Sequence, residues 1–273
     1  MKEFDVRLDG GRVLHAYDTG GDGDLAVFWH HGTPNLGTPP EPLLKGLRWV
    51  SYDRPSYGGS SPNPGRTIGS AAADTAAVAD ALGIGRFAVM GYSGGGSHAL
   101  ACAALLRERV AGVVTAAAIA PYGAEGLDWF TGMVPSGVAS LTAAAKGREA
   151  KVAHEDSGVE YDPEFNERDW AALRGEWKWL GTVAGAGADG GRAGLIDDDL
   201  AYVSPWGCDP RGITAPILLL HGTADGIIPS SHGEWLAASC PAAQLRLMPG
   251  EGHISVLTGA KEALGWLRGN AHV

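Results

Sequence analysis

The stretch 91–95, which reads G-Y-S-G-G, could support nucleophilic catalysis. It follows the apolar run 87–90 and precedes a segment of helical character at 98–106. A serine hydroxyl is a weak nucleophile, so it must stand where a base can reach it. A sharp strand-to-helix turn exposes the hydroxyl in this way, and glycines on either side avoid side-chain collisions. The pattern predicts that Ser93 is a nucleophile; the alternative is a glycine-rich turn with an incidental serine.

A serine nucleophile needs a histidine base and an acid that orients this base. Asp225 lies in the loop after the apolar run 216–220, and His253 lies in a glycine-rich loop after the predicted strand 244–248. Catalytic groups collect beyond the carboxyl ends of strands in open α/β sheets. Ser93, Asp225 and His253 each follow a strand, in the chain order expected for this type of site. We therefore predict that these three residues form a catalytic triad.

Other residues are weaker candidates for the base and the acid. His221 ends a predicted strand, where a loop hydrogen bond is the expected role, and His30 and His31 are expected to shape the loop after an earlier strand. The loop after the strand at 110–119 offers no carboxylate before Glu125. The chain has neither zinc-ligand spacing nor a dinucleotide-binding signature, so no metal and no cofactor is expected.

Taken together, these motifs resemble the α/β-hydrolase superfamily, in particular its serine-nucleophile, esterase-like members with a cap domain. The resemblance covers nearly the whole chain, and the segments that carry it are 91–95 (G-Y-S-G-G), 221–229 (H-G-T-A-D-G-I-I-P), 252–253 (G-H) and 30–34 (H-H-G-T-P).

The resemblance also implies an oxyanion hole. In this family the H-G-x-P segment supplies part of the hole, which implies backbone N–H donors from Thr33 and from Gly94. The turn 52–60 is similar to the family's D-x-P-G-x-G-x-S turn, but it has Ser56 where glycine is usual. We interpret this turn as structural.

The elements that must position these residues alternate along the chain. Strands are predicted at 3–9, 12–18, 25–30, 48–53, 86–91, 110–119, 216–221 and 244–248, and helices at 69–82, 95–107, 231–239 and 260–268. Alternation of this kind predicts an α/β fold with a mostly parallel central sheet flanked by helices, here the α/β-hydrolase fold. The first two strands are joined by a short turn, which indicates an antiparallel start.

The segment 122–206 breaks this alternation and is predicted to be a helical cap inserted between two parts of the core, 1–121 and 207–273. It holds 15 acidic and 7 basic residues, and its best predicted helix is 164–180. The acidity is interpreted as a solvated face; the alternative is attraction of a cationic group. Residues 197–199, all aspartate, are predicted to begin a helix.

A cap shapes the substrate pocket and excludes water from it. Five of the nine tryptophans fall in the predicted cap, and packing within the cap is the expected role of each one. Trp129 and Phe130 lie where the cap begins and are the better pocket candidates, together with Tyr92 beside the nucleophile.

Composition narrows the classes of partner. The net charge of −10 argues against nucleic acid, because phosphate binding needs clustered Lys and Arg. The sequence starts without an apolar signal segment and has no apolar run of about 18 residues, so neither secretion nor a membrane span is expected. The three cysteines lack disulfide or metal spacing. We predict a cytoplasmic protein that acts on a small molecule.

The expected reaction is hydrolysis of a carboxylic ester with an apolar or aromatic moiety, through an acyl-enzyme. A serine nucleophile disfavours the haloalkane dehalogenase and epoxide hydrolase branches, which need a carboxylate there. One alternative is a proline-iminopeptidase-like amidase, although residues 33–35 read T-P-N where that family usually has G-P-G. A less favoured alternative is a non-catalytic receptor on the same fold.

Overall fold

The computed structural model describes residues 1–21, 25–159 and 161–271. In these residues eight strands form one sheet. They are β1 (Lys2–Arg7), β2 (Val13–Asp18), β3 (Ala26–His30), β4 (Arg48–Tyr52), β5 (Phe87–Tyr92), β6 (Val110–Ala116), β7 (Ile217–Gly222) and β8 (Ala243–Met248). All eight predicted strands are confirmed, with ends that differ by at most three residues. The strand predicted at 110–119 ends at Ala116, because Ala117 takes a left-handed backbone conformation with φ 53°.

The strands follow the order β1-β2-β4-β3-β5-β6-β7-β8 across the sheet. The pairs β1–β2 and β2–β4 are antiparallel, and every later pair is parallel. This confirms the antiparallel start and the mostly parallel sheet. The parallel strands place their carboxyl ends at one edge, so the loops after β5, β7 and β8 meet there.

The described residues also form helices, some of which cover the two faces of the sheet. They are α1 (Ser70–Ala81), α2 (Gly94–Leu105), α3 (Pro135–Ala145), α4 (Arg148–Asp156), α5 (Glu167–Arg174), α6 (Lys178–Asp189), α7 (Ala193–Tyr202), α8 (Ser230–Ser239) and α9 (Ala260–Asn270). Successive strand residues alternate between the faces. Phe28 and Val89 pack with α1, α2 and α8, while Val27 and Met90 pack with α6 and α9. The four helices predicted for the core correspond to α1, α2, α8 and α9.

The segment between β6 and β7, residues 117–216, is here called the helical insertion. Its described residues contain α3–α7 and no strand. The prediction of a single helix at 164–180 is wrong, because two helices, α5 and α6, cover this segment. Gly175 separates them with φ −108° and ψ −124°, which are not helical angles. The domain boundaries at 121/122 and 206/207 stay a prediction.

Candidate active site

The loops after β5, β7 and β8 bring Ser93, Asp225 and His253 together. His253 Nε2 lies 3.0 Å from Ser93 Oγ, and His253 Nδ1 lies 2.8 Å from Asp225 Oδ2. The other carboxylate oxygen of Asp225 accepts the backbone N–H groups of Ile227 and Ile228, each at 2.9 Å. The aspartate is therefore fixed from both sides. This geometry matches a nucleophile, a base and the acid that orients the base.

The turn at Ser93 depends on two glycines. Ser93 has φ 56° and ψ −130°, a conformation that an L-residue rarely takes outside a constrained turn. A Cβ on Gly91 would lie 2.2 Å from the carbonyl oxygen of Gly95, and a Cβ on Gly95 would lie 2.0 Å from that of His30. Only glycine fits at both positions, which is the role that the sequence pattern predicted for them.

His253 is also held by a residue that the sequence did not point to. Asp169, on α5 of the helical insertion, accepts the backbone N–H groups of His253, Ile254 and Ser255 at 3.2, 2.9 and 2.8 Å. Its carboxylate is buried. Nothing in the spacing of residues 164–180 marks this aspartate as different from its neighbours, so no sequence signal could have found it.

Thr33 and Gly94, the predicted oxyanion donors, both lie at the cavity that contains Ser93. Both residues line the cavity that Ser93 and His253 line, and Gly94 is the first residue of α2. Within the described part of the chain, neither amide N–H has a hydrogen-bond partner. A helix N-terminus leaves such donors free for an anion. The Tyr202 hydroxyl lies close to both residues: a Cβ on Gly94 would lie 1.7 Å from it, and Thr33 Oγ1 is 2.6 Å away.

A cavity of about 680 Å³ extends from these residues into the helical insertion. All five helices of the insertion contribute lining residues, among them Leu141, Glu155, Leu173, Leu180 and Tyr202. Most of the lining is apolar, and its aromatic residues are Tyr92, Tyr161, Phe165 and Tyr202. The cavity can hold the apolar part of a small molecule while its carbonyl faces Ser93.

Two of the three predicted pocket residues lie outside this cavity. Tyr92 lines it, but Trp129 and Phe130 do not. Trp129 instead packs against His232, with ring centroids 5.4 Å apart, and its Nε1 donates to the carbonyl of Ala120 at 2.8 Å. A large aromatic with a satisfied N–H is well placed as a packing element. Similarly, none of the five tryptophans of 122–206 lines the cavity.

A family profile described as the alpha/beta hydrolase fold matches residues 26–260. The chain belongs to the α/β-hydrolase family. Family membership supports hydrolase activity. No curated protein sequence matches the chain.

Solved α/β-hydrolase-like structures share the fold at low sequence identity. An esterase from Thermogutta terrifontis has a TM-score of 0.72 and 23% identity over the whole of both chains. The enol-lactonase from Burkholderia xenovorans LB400 has a TM-score of 0.70 and 22% identity over 97% of this chain and 98% of that chain. A bromoperoxidase from Bacillus anthracis has a TM-score of 0.68 and 20% identity over 98% of each chain. At such identities the likeness shows the fold alone.

In this α/β-hydrolase the aspartates at 197–199 differ from the prediction in their position along the helix and in their exposure to solvent. They lie in the middle of α7 rather than at its start, and all three are buried rather than solvated. Each one has its own cationic partner. Asp197 pairs with Arg148, Asp198 with Arg54 and Arg66, and Asp199 with Lys151. Burial of charge is tolerated here because these pairs replace water.

Asp198 is the centre of the largest of these clusters. Its carboxylate accepts Arg54 Nη2 and Arg66 Nη2, both at 2.6 Å, and the Tyr57 hydroxyl at 2.8 Å. Burial alone would raise the pKa of Asp198, but the two guanidinium groups outweigh it and hold this pKa well below its usual range. Asp198 is therefore an anion enclosed by the protein.

Replacing Asp198 with asparagine is expected to lower the free energy of unfolding by about 3–5 kcal/mol, because Arg54 and Arg66 lose their buried anion. Urea unfolding would measure it. The control is Asp80→Asn, which breaks the exposed 2.8 Å pair with Arg109 and should cost less than about 1 kcal/mol. Equal unfolding midpoints for the two variants would contradict the prediction.

The turn 52–60 contacts the same helix. Ser56, with φ 73°, donates its hydroxyl to Asp197 Oδ2 at 2.7 Å. The serine that departs from the family pattern therefore links this turn to α7. This supports the structural interpretation of the turn, and Arg54 and Tyr57 within it both donate to Asp198.

The rival histidines have structural partners. His221 donates from Nε2 to the carbonyl of Ile228 at 2.7 Å, which is the predicted loop hydrogen bond. His31 accepts the backbone N–H of Arg54 on Nε2 and donates from Nδ1 to the carbonyl of Gly32. Burial and the neighbouring Arg54 hold the pKa of His31 well below its ordinary value. Burial lowers the pKa of His30 to about 3, with a smaller effect of Arg54.

No helix among residues 1–21, 25–159 and 161–271 has both the length and the hydrophobicity of a membrane span.

Proposed function

We propose that this protein is a serine hydrolase that cleaves a carboxylic ester through an acyl-enzyme intermediate. The observation that carries the proposal is the pair of contacts made by His253, 3.0 Å to Ser93 Oγ and 2.8 Å to Asp225 Oδ2. A histidine placed in this way can accept the serine proton while a carboxylate stabilises its cationic form.

In the first half of the reaction, Ser93 Oγ attacks the ester carbonyl and His253 Nε2 takes its proton. The carbonyl oxygen becomes an oxyanion, which the Thr33 and Gly94 amides stabilise. Preformed donors of this kind contribute roughly 100- to 1000-fold each to turnover. When the C–O bond breaks, His253 returns the proton to the departing alcohol and the acyl group remains on Ser93.

In the second half, a water molecule takes the place of the alcohol. His253 Nε2 accepts a proton from this water as its oxygen attacks the acyl carbon. The second tetrahedral intermediate then collapses, the bond to Ser93 Oγ breaks, and His253 gives the proton back to the serine. Asp225 keeps the imidazole in the tautomer with its proton on Nδ1 throughout.

The helical insertion acts as a cap in this proposal and defines the substrate class. Leu141, Leu173 and Leu180 give the cavity apolar walls, which favour an ester with an apolar acyl or alcohol part. An esterase and an enol-lactonase are among the proteins of similar fold, and a lactone is itself a cyclic ester. A water-excluding wall also strengthens the oxyanion contacts.

One observation favours the amidase alternative. Asp199 and Glu155 line the cavity and could bind a substrate amine. However, Lys151 Nζ lies 2.6 Å from a carboxylate oxygen of each. Because this buried ammonium already pairs with both carboxylates, the site is less suited to a second cation, and we favour the ester.

The test compares p-nitrophenyl esters of increasing acyl length with proline β-naphthylamide, and it labels the protein with a fluorophosphonate. We expect turnover of the esters, little hydrolysis of the amide, and one label on Ser93. Hydrolysis of the proline amide without ester turnover would favour the amidase. A protein that shows neither turnover nor labelling would be a binding protein, and the proposal would be wrong.

A further inference from the structure

The oxyanion loop, residues 31–33, is tied to α7 through the hydroxyl of Thr33. Thr33 Oγ1 lies 2.5 Å from Asp198 Oδ2 and 2.6 Å from the Tyr202 hydroxyl. Asp198 is ionised and can only accept, so the single proton of Thr33 points to it. The Tyr202 hydroxyl must then donate to Thr33. The direction of both hydrogen bonds is thus determined by the charge of Asp198.

Arg54 binds the backbone of the same loop. Its guanidinium donates to the carbonyl of His31 and, at 3.2 Å, to the carbonyl of Gly32. The Gly32–Thr33 peptide is trans, so the N–H of Thr33 points away from the Gly32 carbonyl. The same carbonyl also accepts His31 Nδ1 at 2.8 Å and the Asn35 N–H at 3.1 Å, so Arg54 is one of three donors that fix the direction of the Thr33 N–H. The guanidinium is itself oriented by Asp198, through Nε at 3.1 Å and Nη2 at 2.6 Å.

We propose that Asp198 and Arg54 are positioning residues for the oxyanion hole, so that α7 of the helical insertion sets the direction of the Thr33 amide donor. This inference rests on the proposed serine-hydrolase function. Asp198 acts through the Thr33 hydroxyl and through Arg54, and neither Asp198 nor Arg54 lines the cavity. Assembly of the hole therefore requires α7 to be docked.

The size of the effect follows from the geometry that an oxyanion hole needs. Its donors must lie about 2.7–3.1 Å from the developing oxyanion. A misplacement of about 1 Å can cost on the order of 100-fold in rate. A buried ion pair adds little net stability compared with apolar packing, so stability alone does not explain this cluster. Two of its members, Asp198 and Arg54, instead make hydrogen bonds to the oxyanion loop beside Ser93.

The test uses Thr33→Val, which keeps the amide and the side-chain volume but removes the hydroxyl. Thr33→Ala removes the hydroxyl together with the γ-methyl group, so it shows whether the effect comes from the extra methyl group of valine. We expect kcat for a p-nitrophenyl ester to fall about 10- to 100-fold in both, with KM changed less than twofold. Thr33→Ser, which keeps the hydroxyl, should restore most of the rate.

A second readout is the rate at which a fluorophosphonate labels Ser93, which requires the oxyanion hole but no turnover. This rate should fall by a factor similar to that of kcat. The matched control is Ser56→Ala, which removes the 2.7 Å hydrogen bond from another loop to Asp197 on the same helix. It should leave kcat and the labelling rate unchanged. Thermal unfolding of each variant checks that the fold is intact.

The inference is overturned if both Thr33→Val and Thr33→Ala label Ser93 at the wild-type rate. It is also overturned if KM rises at constant kcat, since the hydroxyl would then contact the substrate, or if Ser56→Ala loses as much activity as Thr33→Val. These results leave the proposed function intact. A wild-type protein that is neither active nor labelled at Ser93 would instead remove the proposed function, and this inference with it.

Discussion

Replacing Ser93 with alanine is expected to lower kcat for an ester substrate by roughly 10⁴- to 10⁶-fold. In the proposed mechanism the variant loses the hydroxyl that forms the acyl-enzyme, while the proposed oxyanion donors and the cavity remain. Alanine keeps the Cβ of serine, so the constrained backbone at φ 56° is unchanged. We therefore expect the unfolding temperature to stay close to that of the wild type.

The control for this variant is Ser97→Ala, one turn further along α2. Ser97 Oγ donates to the carbonyl of Ile119 at 2.8 Å and is buried, so its loss is expected to cost about 1 kcal/mol of stability but little activity. Initial rates and fluorophosphonate labelling followed by mass spectrometry give the readouts. Labelling of a different serine, or more than about 1% residual kcat in Ser93→Ala, would refute the nucleophile assignment.

Replacing Asp225 with asparagine is expected to lower kcat by up to about 10⁴-fold. The reason lies in the two oxygens of Asp225. Oδ1 accepts the N–H groups of Ile227 and Ile228, so an asparagine must place its oxygen there. Its NH₂ group then faces His253 Nδ1 and donates to it. The imidazole is forced to carry its proton on Nε2, and it can no longer accept the proton of Ser93.

This loss should appear in kcat, with ester binding nearly unchanged, because Asp225 does not line the cavity. Asp209→Asn is the control, since Asp209 is exposed on the loop before β7 and lies outside the site. A decrease of less than about tenfold in Asp225→Asn would mean that another group orients His253. His221 does not compete with His253 for Asp225. Its Nε2 lies 3.8 Å from Asp225 Oδ2, too far for a hydrogen bond, and already donates to the carbonyl of Ile228.

Several features of the site could be predicted because they depend on residues close together in the chain. The glycines around Ser93 indicated a tight turn, and the apolar runs before Ser93 and Asp225 indicated buried strands. Strands of this kind, separated by helices, become parallel, and their carboxyl ends then share one edge of the sheet. The meeting of Ser93, Asp225 and His253 follows from that rule, and the structure brings them within hydrogen-bond distance. Their catalytic roles remain a proposal.

The features that sequence reasoning missed depend on partners far away in the chain. The acidity of 122–206 is interpreted from the sequence as a solvated face, but Asp198 within it is buried and pairs with Arg54 and Arg66, which lie more than 130 residues away in the chain. Asp169 contacts the His253 loop across a similar separation of more than 80 residues. The residues that flank a helical carboxylate in the sequence do not show whether it faces water or a guanidinium group from a distant part of the chain.

The amino-acid sequence by itself determined the positions of the strands along the chain, the tight turn at Ser93 and the α/β class of this hydrolase, because hydrophobic periodicity and glycine sterics act over a few residues. Only the tertiary structure decided which side chains line the cavity and how α7 meets the oxyanion loop. Those contacts depend on how the helices of the insertion dock on the sheet. Docking depends on many weak contacts between residues that are distant in the chain, and the spacing of residues in the sequence does not predict these contacts.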